Sequence, residues 1–257
     1  MRSSRWLAAF VAIGLAVLVA IAPLAKSQES PGVLLILDGS GSMNSVDDSG
    51  RTLLEGAQES LVALVEALPE GGIDVGLRVY GHRTPNTDPV RGCQDSELVV
   101  PVGSLDPSAM IDAIRGVRAS GYTPIGLSLE QAAEDLAGRA VATVILVSDG
   151  EDTCAPPDPC DVAAGLAETG VTVNTVGFYL DEGSVARGQL QCIADATGGA
   201  YRDVEESGDL AGVVGLFLQA VPGIGNLHLP LDGATVRTLA PTLPLASVDG
   251  SRQPTLQ

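Results

Sequence analysis

Aromatic and basic residues are scarce in this chain of 257 residues. Phe, Trp and Tyr make up only 3% of it, which argues against an aromatic platform for carbohydrates or single-stranded nucleic acids. Arg and Lys number 14 against 32 Asp and Glu, so the formal net charge is −18. Because nucleic-acid binding needs a basic surface, this balance argues against a nucleic-acid-binding protein. The core must be built from Ala, Val, Leu and Ile.

Common catalytic motifs are also missing. No Gly-x-x-x-x-Gly-Lys-[Ser/Thr] phosphate-binding loop occurs. The hydrolase motif Gly-x-Ser-x-Gly fails at Ser40, because Asp38 and Ser42 stand at its two glycine positions. An aspartate-nucleophile phosphotransferase would need a second acid two residues after Asp38, where Ser40 stands. We therefore predict a protein that is not an enzyme. The alternatives are a metal-dependent hydrolase on a similar sheet and a cofactor-free hydrolase with Asp38 or Asp149 as its base.

The first residues have the features of an export signal. Two arginines precede an apolar run over residues 6–22, and small residues follow at the positions that a signal peptidase reads. We predict that residues 1–27 are a signal peptide, cleaved after Ser27. The alternative is an uncleaved membrane anchor, since residues 6–22 lie at the short limit of a bilayer span. Both alternatives place the folded part outside the cytoplasm, as a secreted, periplasmic or cell-surface protein.

The four cysteines support export. An even number of cysteines in an exported chain predicts two disulfides, with three pairings open. Cys154 and Cys160 lie in one short, proline-rich loop, where a local bridge is geometrically easy and would leave Cys93 to pair with Cys192. A zinc site is the alternative, but no histidine has zinc-ligand spacing to these cysteines.

Strand and helix patterns alternate along residues 32–221. We predict strands over residues 33–37, 73–79, 97–102, 141–148, 171–177 and 200–203, and helices over residues 51–68, 108–117, 125–137, 161–168, 185–196 and 209–221. This alternation predicts a doubly wound, Rossmann-like α/β fold with a mostly parallel six-stranded sheet and helices on both faces. The strand at 97–102 contains Pro101, which favours a short antiparallel edge strand. The strand at 73–79 alternates apolar and polar residues, which predicts that only one of its faces is buried.

The remaining residues, 222–257, are rich in Pro, Gly, Thr and Leu. We interpret them as a linker or as an incomplete β module.

Oxygen-bearing side chains follow the first strand. Asp38, Ser40 and Ser42 come directly after a continuous apolar run, and the glycines between them allow the backbone to bend. Thr123 lies on a turn before a predicted helix, and Asp149 ends another apolar strand. Because open α/β folds bind ligands at the carboxyl ends of their strands, these side chains can meet there. Carboxylate and hydroxyl oxygens are the ligands that hard cations such as Mg²⁺ prefer.

With Asp38-Gly39-Ser40-Gly41-Ser42, then Thr123, then Asp149-Gly150 in this order, the chain resembles the von Willebrand factor type A (vWA) family across residues 32–221. The resemblance implies a metal-ion-dependent adhesion site (MIDAS) formed by Asp38, Ser40, Ser42, Thr123 and Asp149. In that family the serines and the threonine bind the cation directly or nearly so, and the aspartates often act through water.

The resemblance also implies a function. We expect an exported protein-binding module for adhesion or recruitment, in which bound Mg²⁺, with Mn²⁺ or Ca²⁺ as alternatives, takes an Asp or Glu side chain of a protein partner. A metal-dependent hydrolase on the same fold and a purely structural exported domain are the alternatives.

Overall fold

The computed structural model describes residues 30–68 and 71–221. In chain order the strands and helices are β1 (Gly32–Asp38), α1 (Leu53–Ala67), β2 (Asp74–Tyr80), α2 (Pro89–Gly92), β3 (Ser96–Ser104), α3 (Pro107–Gly116), α4 (Ile125–Asp135), β4 (Ala142–Ser148), α5 (Pro159–Glu168), β5 (Val171–Phe178), α6 (Val185–Thr197), β6 (Tyr201–Val204) and α7 (Leu210–Ala220). Short 3₁₀ turns occupy Gly41–Asn44 and Ser207–Asp209. The predicted signal peptide or anchor and the predicted linker at 222–257 lie outside the described residues. None of the helices described is long and apolar enough to cross a membrane.

The six strands form one sheet in the order β3-β2-β1-β4-β5-β6. All neighbouring strands are parallel except β2 and β3, which confirms the predicted fold class and the antiparallel edge strand. The edge strand is not short, however: β3 has nine residues and is the longest of the six strands. The chain first builds outward from β1 through β2 to β3, and then returns to the other side of β1 with β4. The order in which the chain adds strands therefore changes sides between β1 and β4. At such a switch point, doubly wound sheets form a crevice for ligands.

Apolar side chains fill both faces of the sheet. Leu35 and Leu37 of β1 pack into a core with α1, α3 and α7, whereas Leu34 and Ile36 pack into a second core with α4, α5 and α6. This division follows from the alternation of side chains along a strand. It also explains why β1 and β4 are continuous apolar runs, since every residue of both strands is buried.

The expectation that β2 is buried on only one face is wrong. Six of its seven residues are buried, and the Arg78 side chain is only 6% exposed. Its guanidinium donates to Asp135 Oδ2 at the end of α4, at 2.8 Å from Nε and 2.7 Å from Nη2, and to Ser96 Oγ at 3.0 Å. An arginine in a strand pattern normally indicates a solvent-facing side, but here α4 supplies a buried carboxylate.

The chain between β2 and β3 contains a short helix, α2, where the sequence predicts only a loop. The buried side chain of Asp95, which is 1% exposed, stabilises the start of this segment. It accepts hydrogen bonds from the backbone N–H groups of Arg83 and Thr84 and from the Arg83 side chain, each at 2.7 Å. Burial alone would raise the pKa of Asp95, but these hydrogen bonds outweigh it and hold the pKa below its usual range.

We expect Asp95→Asn to lower the free energy of unfolding at pH 7 by about 2 kcal/mol, because buried backbone donors lose a charged acceptor. Since the pKa of Asp95 is lower in the folded state, its stabilisation is present above the pKa of the unfolded chain and is lost as pH falls through the folded-state pKa. Urea denaturation from pH 7 to pH 2 should therefore show the two proteins converging below about pH 4. A constant difference down to pH 2 would contradict this role.

The disulfide pairing differs from the local bridge considered for the proline-rich loop. Cys93 pairs with Cys154, and Cys160 pairs with Cys192, so no described cysteine is free. The local pairing fails because the two ends of the loop belong to different neighbours. Cys160 opens α5, which packs against α6 and therefore meets Cys192, whereas Cys154 lies beside the end of α2. The bridges also exclude the zinc alternative at these cysteines.

Titration of the unreduced, denatured protein should detect no free thiol. The first bridge closes a separation of 61 residues, so the paired substitution Cys93→Ser and Cys154→Ser should cost about 4 kcal/mol by chain-entropy reasoning. Urea denaturation measures that cost. Detection of reactive thiols in the untreated protein would show that the bridges do not form.

Candidate metal centre

Asp38 is the last residue of β1 and is fully buried. Both of its carboxylate oxygens accept hydrogen bonds. Oδ1 accepts the backbone N–H of Ser40 at 2.7 Å. Oδ2 accepts the Tyr80 hydroxyl at 2.8 Å and the Ser148 hydroxyl at 2.7 Å. Tyr80 ends β2 and Ser148 ends β4, so the two strands that flank β1 hold this carboxylate at the switch point.

A chain of hydrogen bonds extends from Asp38 to solvent. Ser40 and Ser42 share a hydrogen bond of 2.9 Å between their hydroxyls, and Ser42 donates to Asp149 Oδ1 at 2.7 Å. Ser40 is 1% exposed, whereas Ser42 is exposed and Asp149 is partly exposed. The structure thus brings four of the five predicted ligands together, across 107 residues of sequence.

The fifth residue, Thr123, lies in the neighbouring loop. Backbone hydrogen bonds from Gly41 to Gly121 at 2.9 Å and from Ser120 to Gly39 at 3.0 Å fasten that loop to the one after β1. Thr123 is 5% exposed, and within residues 30–68 and 71–221 its hydroxyl makes no hydrogen bond. The structure therefore joins the loop of Thr123 to the loop of the two serines, without a hydrogen bond between the Thr123 hydroxyl and the other four residues.

Close backbone approach makes two glycines necessary here. A Cβ on Gly39 would lie 2.9 Å from the carbonyl oxygen of Tyr80 and 2.9 Å from Cβ of His82. Gly81 has a φ of +68°, and a Cβ there would lie 2.2 Å from the carbonyl oxygen of Tyr122. At both positions the neighbouring backbone lies too close for a side chain, so only glycine fits there.

The surrounding side chains brace the loops. The ring of Tyr122 lies on Gly92 of α2, where a Cβ would come within 2.4 Å of it. His82 is 13% exposed and lies 3.1 Å from Glu97 through Nε2. The carboxylate of Asp152 accepts the backbone N–H of Gly126, in the first turn of α4, at 2.7 Å. These side chains support the site from the side of α2, β3 and α4.

The electrostatics of the site disfavour two negative charges. Burial raises the pKa of Asp38 above its ordinary value, against the hydrogen bonds that lower it. Burial also raises the pKa of Asp149 to about 7, and the negative charge of Asp38 adds to the rise. Two adjacent carboxylates, one fully buried, are therefore poorly compensated by the protein itself. A divalent cation is the species that would offset both charges.

The donor set fits a small, hard cation. All five predicted ligands offer oxygen, and only two of them are anionic. Among the described residues, no three His, Cys, Asp or Glu side chains converge as a metal site, so hydroxyl groups would have to complete the coordination. Oδ1 of Asp38 accepts one hydrogen bond and keeps a second lone pair, which is available to a cation or to a water bound to it.

Tyr80 and Ser148 are the site residues that the sequence does not reveal. Tyr80 continues an apolar strand pattern, and Ser148 precedes Asp149 at the end of another. Neither residue type signals a metal centre by itself. The only signal is a polar side chain at the last position of each strand beside β1. That signal can be used only when it is known that β2 and β4 flank β1.

Comparisons with known proteins agree with this fold. The family model for the von Willebrand factor type A domain matches residues 33–215. No curated protein matches the chain. Among solved structures, the conserved hypothetical protein BatB from Bacteroides thetaiotaomicron has a TM-score of 0.57 at 21% identity, covering 72% of this chain and 96% of that one.

Two further structures match less of their own length. A von Willebrand factor type A protein from Catenulispora acidiphila has a TM-score of 0.57 at 24% identity, covering 72% of this chain and 41% of that one. The pilus adhesin SpaC from Lactobacillus rhamnosus GG has a TM-score of 0.58 at 15% identity, covering 72% and 30%. At these identities the likeness shows the fold alone, whereas the family model spans most of the described residues. The chain therefore belongs to the von Willebrand factor type A domain family.

Proposed function

We propose that this protein is an exported, divalent-cation-dependent binding module that takes an acidic side chain of a protein partner. The observation that carries the proposal is the hydrogen-bonded chain from buried Asp38 through Ser40 and Ser42 to Asp149, which ends at solvent. Mg²⁺ held there would supply a positive charge with a coordination position open to a partner's carboxylate.

The residues of the site divide this task. Ser40, Ser42 and Thr123 would offer neutral oxygens, which leave most of the positive charge of a bound cation uncompensated. Asp38 would hold the serine loop through the N–H of Ser40 and act through water, and Asp149 would add the second anionic group. With only two anionic groups in the site, a carboxylate from outside becomes a favourable additional ligand.

The orientation of the domain supports presentation to a partner. The described chain enters the sheet at Gly32 and leaves α7 at Val221, both at the amino edge, whereas the site lies at the carboxyl edge. If the domain is attached to a surface at either end, the site therefore faces away from that surface. The two disulfides support an oxidising, extracytoplasmic location. The similar structures include a pilus adhesin and a type V pili tip protein.

Binding to defined peptides tests this function. Immobilised protein is presented with a library of peptides that carry a central Asp or Glu, and with twins that carry Asn or Gln. We expect binding of acidic peptides in Mg²⁺ that EDTA and the exposed-residue variant Ser42→Ala abolish. Binding that survives EDTA, or that ignores the change from acid to amide, would contradict the proposal. Turnover of phosphate or carboxylic esters that depends on Mg²⁺ would favour the hydrolase alternative.

Tyr80→Phe tests whether the strands beside β1 position the site. The substitution removes the hydrogen bond from the Tyr80 hydroxyl to Asp38 Oδ2. Loss of a hydrogen bond that orients a metal-site residue typically lowers metal affinity by about 10–100-fold. Calorimetric titration with Mg²⁺ measures the change. Tyr201→Phe is the matched control, since its hydroxyl also bonds a carboxylate, that of Asp203, but on edge strand β6. Equal affinities in the two variants would show that Tyr80 has no such role.

A further inference from the structure

A hydrogen-bond donor that the fold does not use lies beside the serine loop of the candidate metal centre. A Cβ on Gly41, between Ser40 and Ser42, would be 3.7 Å from Nδ2 of Asn86. Asn86 is exposed, and no residue that the structure describes accepts a hydrogen bond from its side-chain amide. The two N–H groups of this amide are therefore available to a molecule that binds at the serine loop.

Asn86 belongs to residues 81–95, which connect β2 to β3 and are here called the α2 segment. Near the start of the segment, Thr84 donates its backbone N–H to Asp95 at 2.7 Å. After α2, the disulfide between Cys93 and Cys154 joins the segment to the loop that follows β4. Because the segment is held at both ends, Asn86 loses little conformational freedom when it binds a partner, and this favours affinity.

Negative charge is distributed unevenly around the centre. In the α2 segment, on the side of β2 and β3, Asp88 and Asp95 each pair with an arginine of the same segment. On the side of β4 and β5, Asp48 and Glu151 are exposed carboxylates that form no ion pair with any described residue. Glu151 follows β4, and the loop of Asp48 contacts Tyr179, directly after β5. An acidic side chain is therefore repelled less over the α2 segment than over the opposite side.

We propose that Asn86 is a specificity-determining residue, whose Nδ2 donates to one oxygen of a partner's carboxylate while a cation at the serine loop binds the other oxygen. The inference rests on the proposed function, because it needs a cation with a coordination position open to that carboxylate. An Asn or Gln side chain of a partner has only one oxygen, so it cannot offer separate acceptors to the cation and to Asn86. Asn86 thus favours Asp and Glu over their amides.

Acetate is a suitable probe for this role, because it offers a carboxylate with only a methyl group attached. In full-length, ¹⁵N-labelled protein saturated with Mg²⁺, acetate should shift the side-chain amide signal of Asn86. The amide signal of Asn174 is the control and should not move, since this residue lies in β5 and already accepts the backbone N–H of Ala200. An Asn86 signal that stays in place when acetate saturates the protein would overturn the proposal.

Asn86→Ala should weaken acetate binding to the Mn²⁺-loaded protein about tenfold, since a hydrogen bond to a charged group is lost. The relaxation of the acetate methyl protons by Mn²⁺ measures that binding. The affinity for Mn²⁺ alone, measured by electron paramagnetic resonance, should stay unchanged, because Asn86 contacts the partner rather than the cation. Thr87→Ala, at the next exposed position, is the matched control and should change neither affinity.

The possible negative results have different meanings. If Mn²⁺ does not bind the wild-type protein, or acetate does not bind the Mn²⁺-loaded protein, the proposed function fails and the role of Asn86 fails with it. If acetate binds the wild-type protein and Asn86→Ala equally well, the cation site stands and Asn86 has no role in it. A loss of Mn²⁺ affinity in Asn86→Ala would make Asn86 a part of the metal centre and would also overturn the proposal.

Discussion

Asp38→Ala should abolish the response of the protein to Mg²⁺. If the cation binds only the folded state, saturation at ~100 times its dissociation constant adds about 2.7 kcal/mol to the free energy of unfolding of the wild-type protein. For a domain of this size that gain corresponds to a melting temperature higher by about 5–10 °C. The variant loses the carboxylate that holds the N–H of Ser40 and that links the site to Tyr80 and Ser148, so we expect no shift.

A matched control shows whether the lost Mg²⁺ response is specific to Asp38 or follows from removal of any aspartate. Asp106 is an exposed aspartate that caps α3 at the amino edge, and Asp106→Ala should cost about 1 kcal/mol but keep the full Mg²⁺ response. Ser42→Ala provides a second test at an exposed residue that the fold does not need. An undiminished Mg²⁺ shift in both Asp38→Ala and Ser42→Ala would place the cation elsewhere.

Asp135→Ala should be strongly destabilising, although Asp135 lies away from the site. It leaves the Arg78 guanidinium buried without its carboxylate, and such losses cost about 3–5 kcal/mol. Urea denaturation measures the change. Glu59→Ala is the control, because it breaks an ion pair between two exposed side chains, Glu59 at 64% and Arg51 at 42% exposure. We expect it to change the free energy of unfolding by less than about 1 kcal/mol.

Replacement of both partners distinguishes an unpaired charge from lost packing. Arg78→Met combined with Asp135→Leu should recover most of the stability, because neither charge then remains buried. A double variant as unstable as Asp135→Ala would show that the ion pair itself, rather than the stranded arginine, determines the cost.

The sequence predicts the elements of this fold well because their patterns are local. Strands β1 and β4 are continuous apolar runs, and the sequence Asp106-Pro107 by itself indicates where α3 is capped. The errors arise where a distant partner changes the meaning of a local pattern. Arg78 marks a solvent-facing side only if no acid covers it, and Asp135 lies 57 residues further along the chain.

The disulfides and the site show the same limit. Proximity in sequence favours a bridge between Cys154 and Cys160, but the packing of α5 on α6 decides the partner of Cys160. At the site, the motif order predicts which oxygens can meet. It does not reveal that Tyr80 and Ser148 hold Asp38, because that depends on β1 lying between β2 and β4.

The most direct test of the account is the anomalous scattering of Mn²⁺ in crystals of the protein. We predict one peak at the carboxyl edge of the sheet, at roughly 2.1 Å from the hydroxyl oxygens of Ser40 and Ser42 and close to that of Thr123. A peak at another place, or crystals saturated with Mn²⁺ in which the Thr123 hydroxyl points away and no peak occurs, would contradict a metal-dependent binding site.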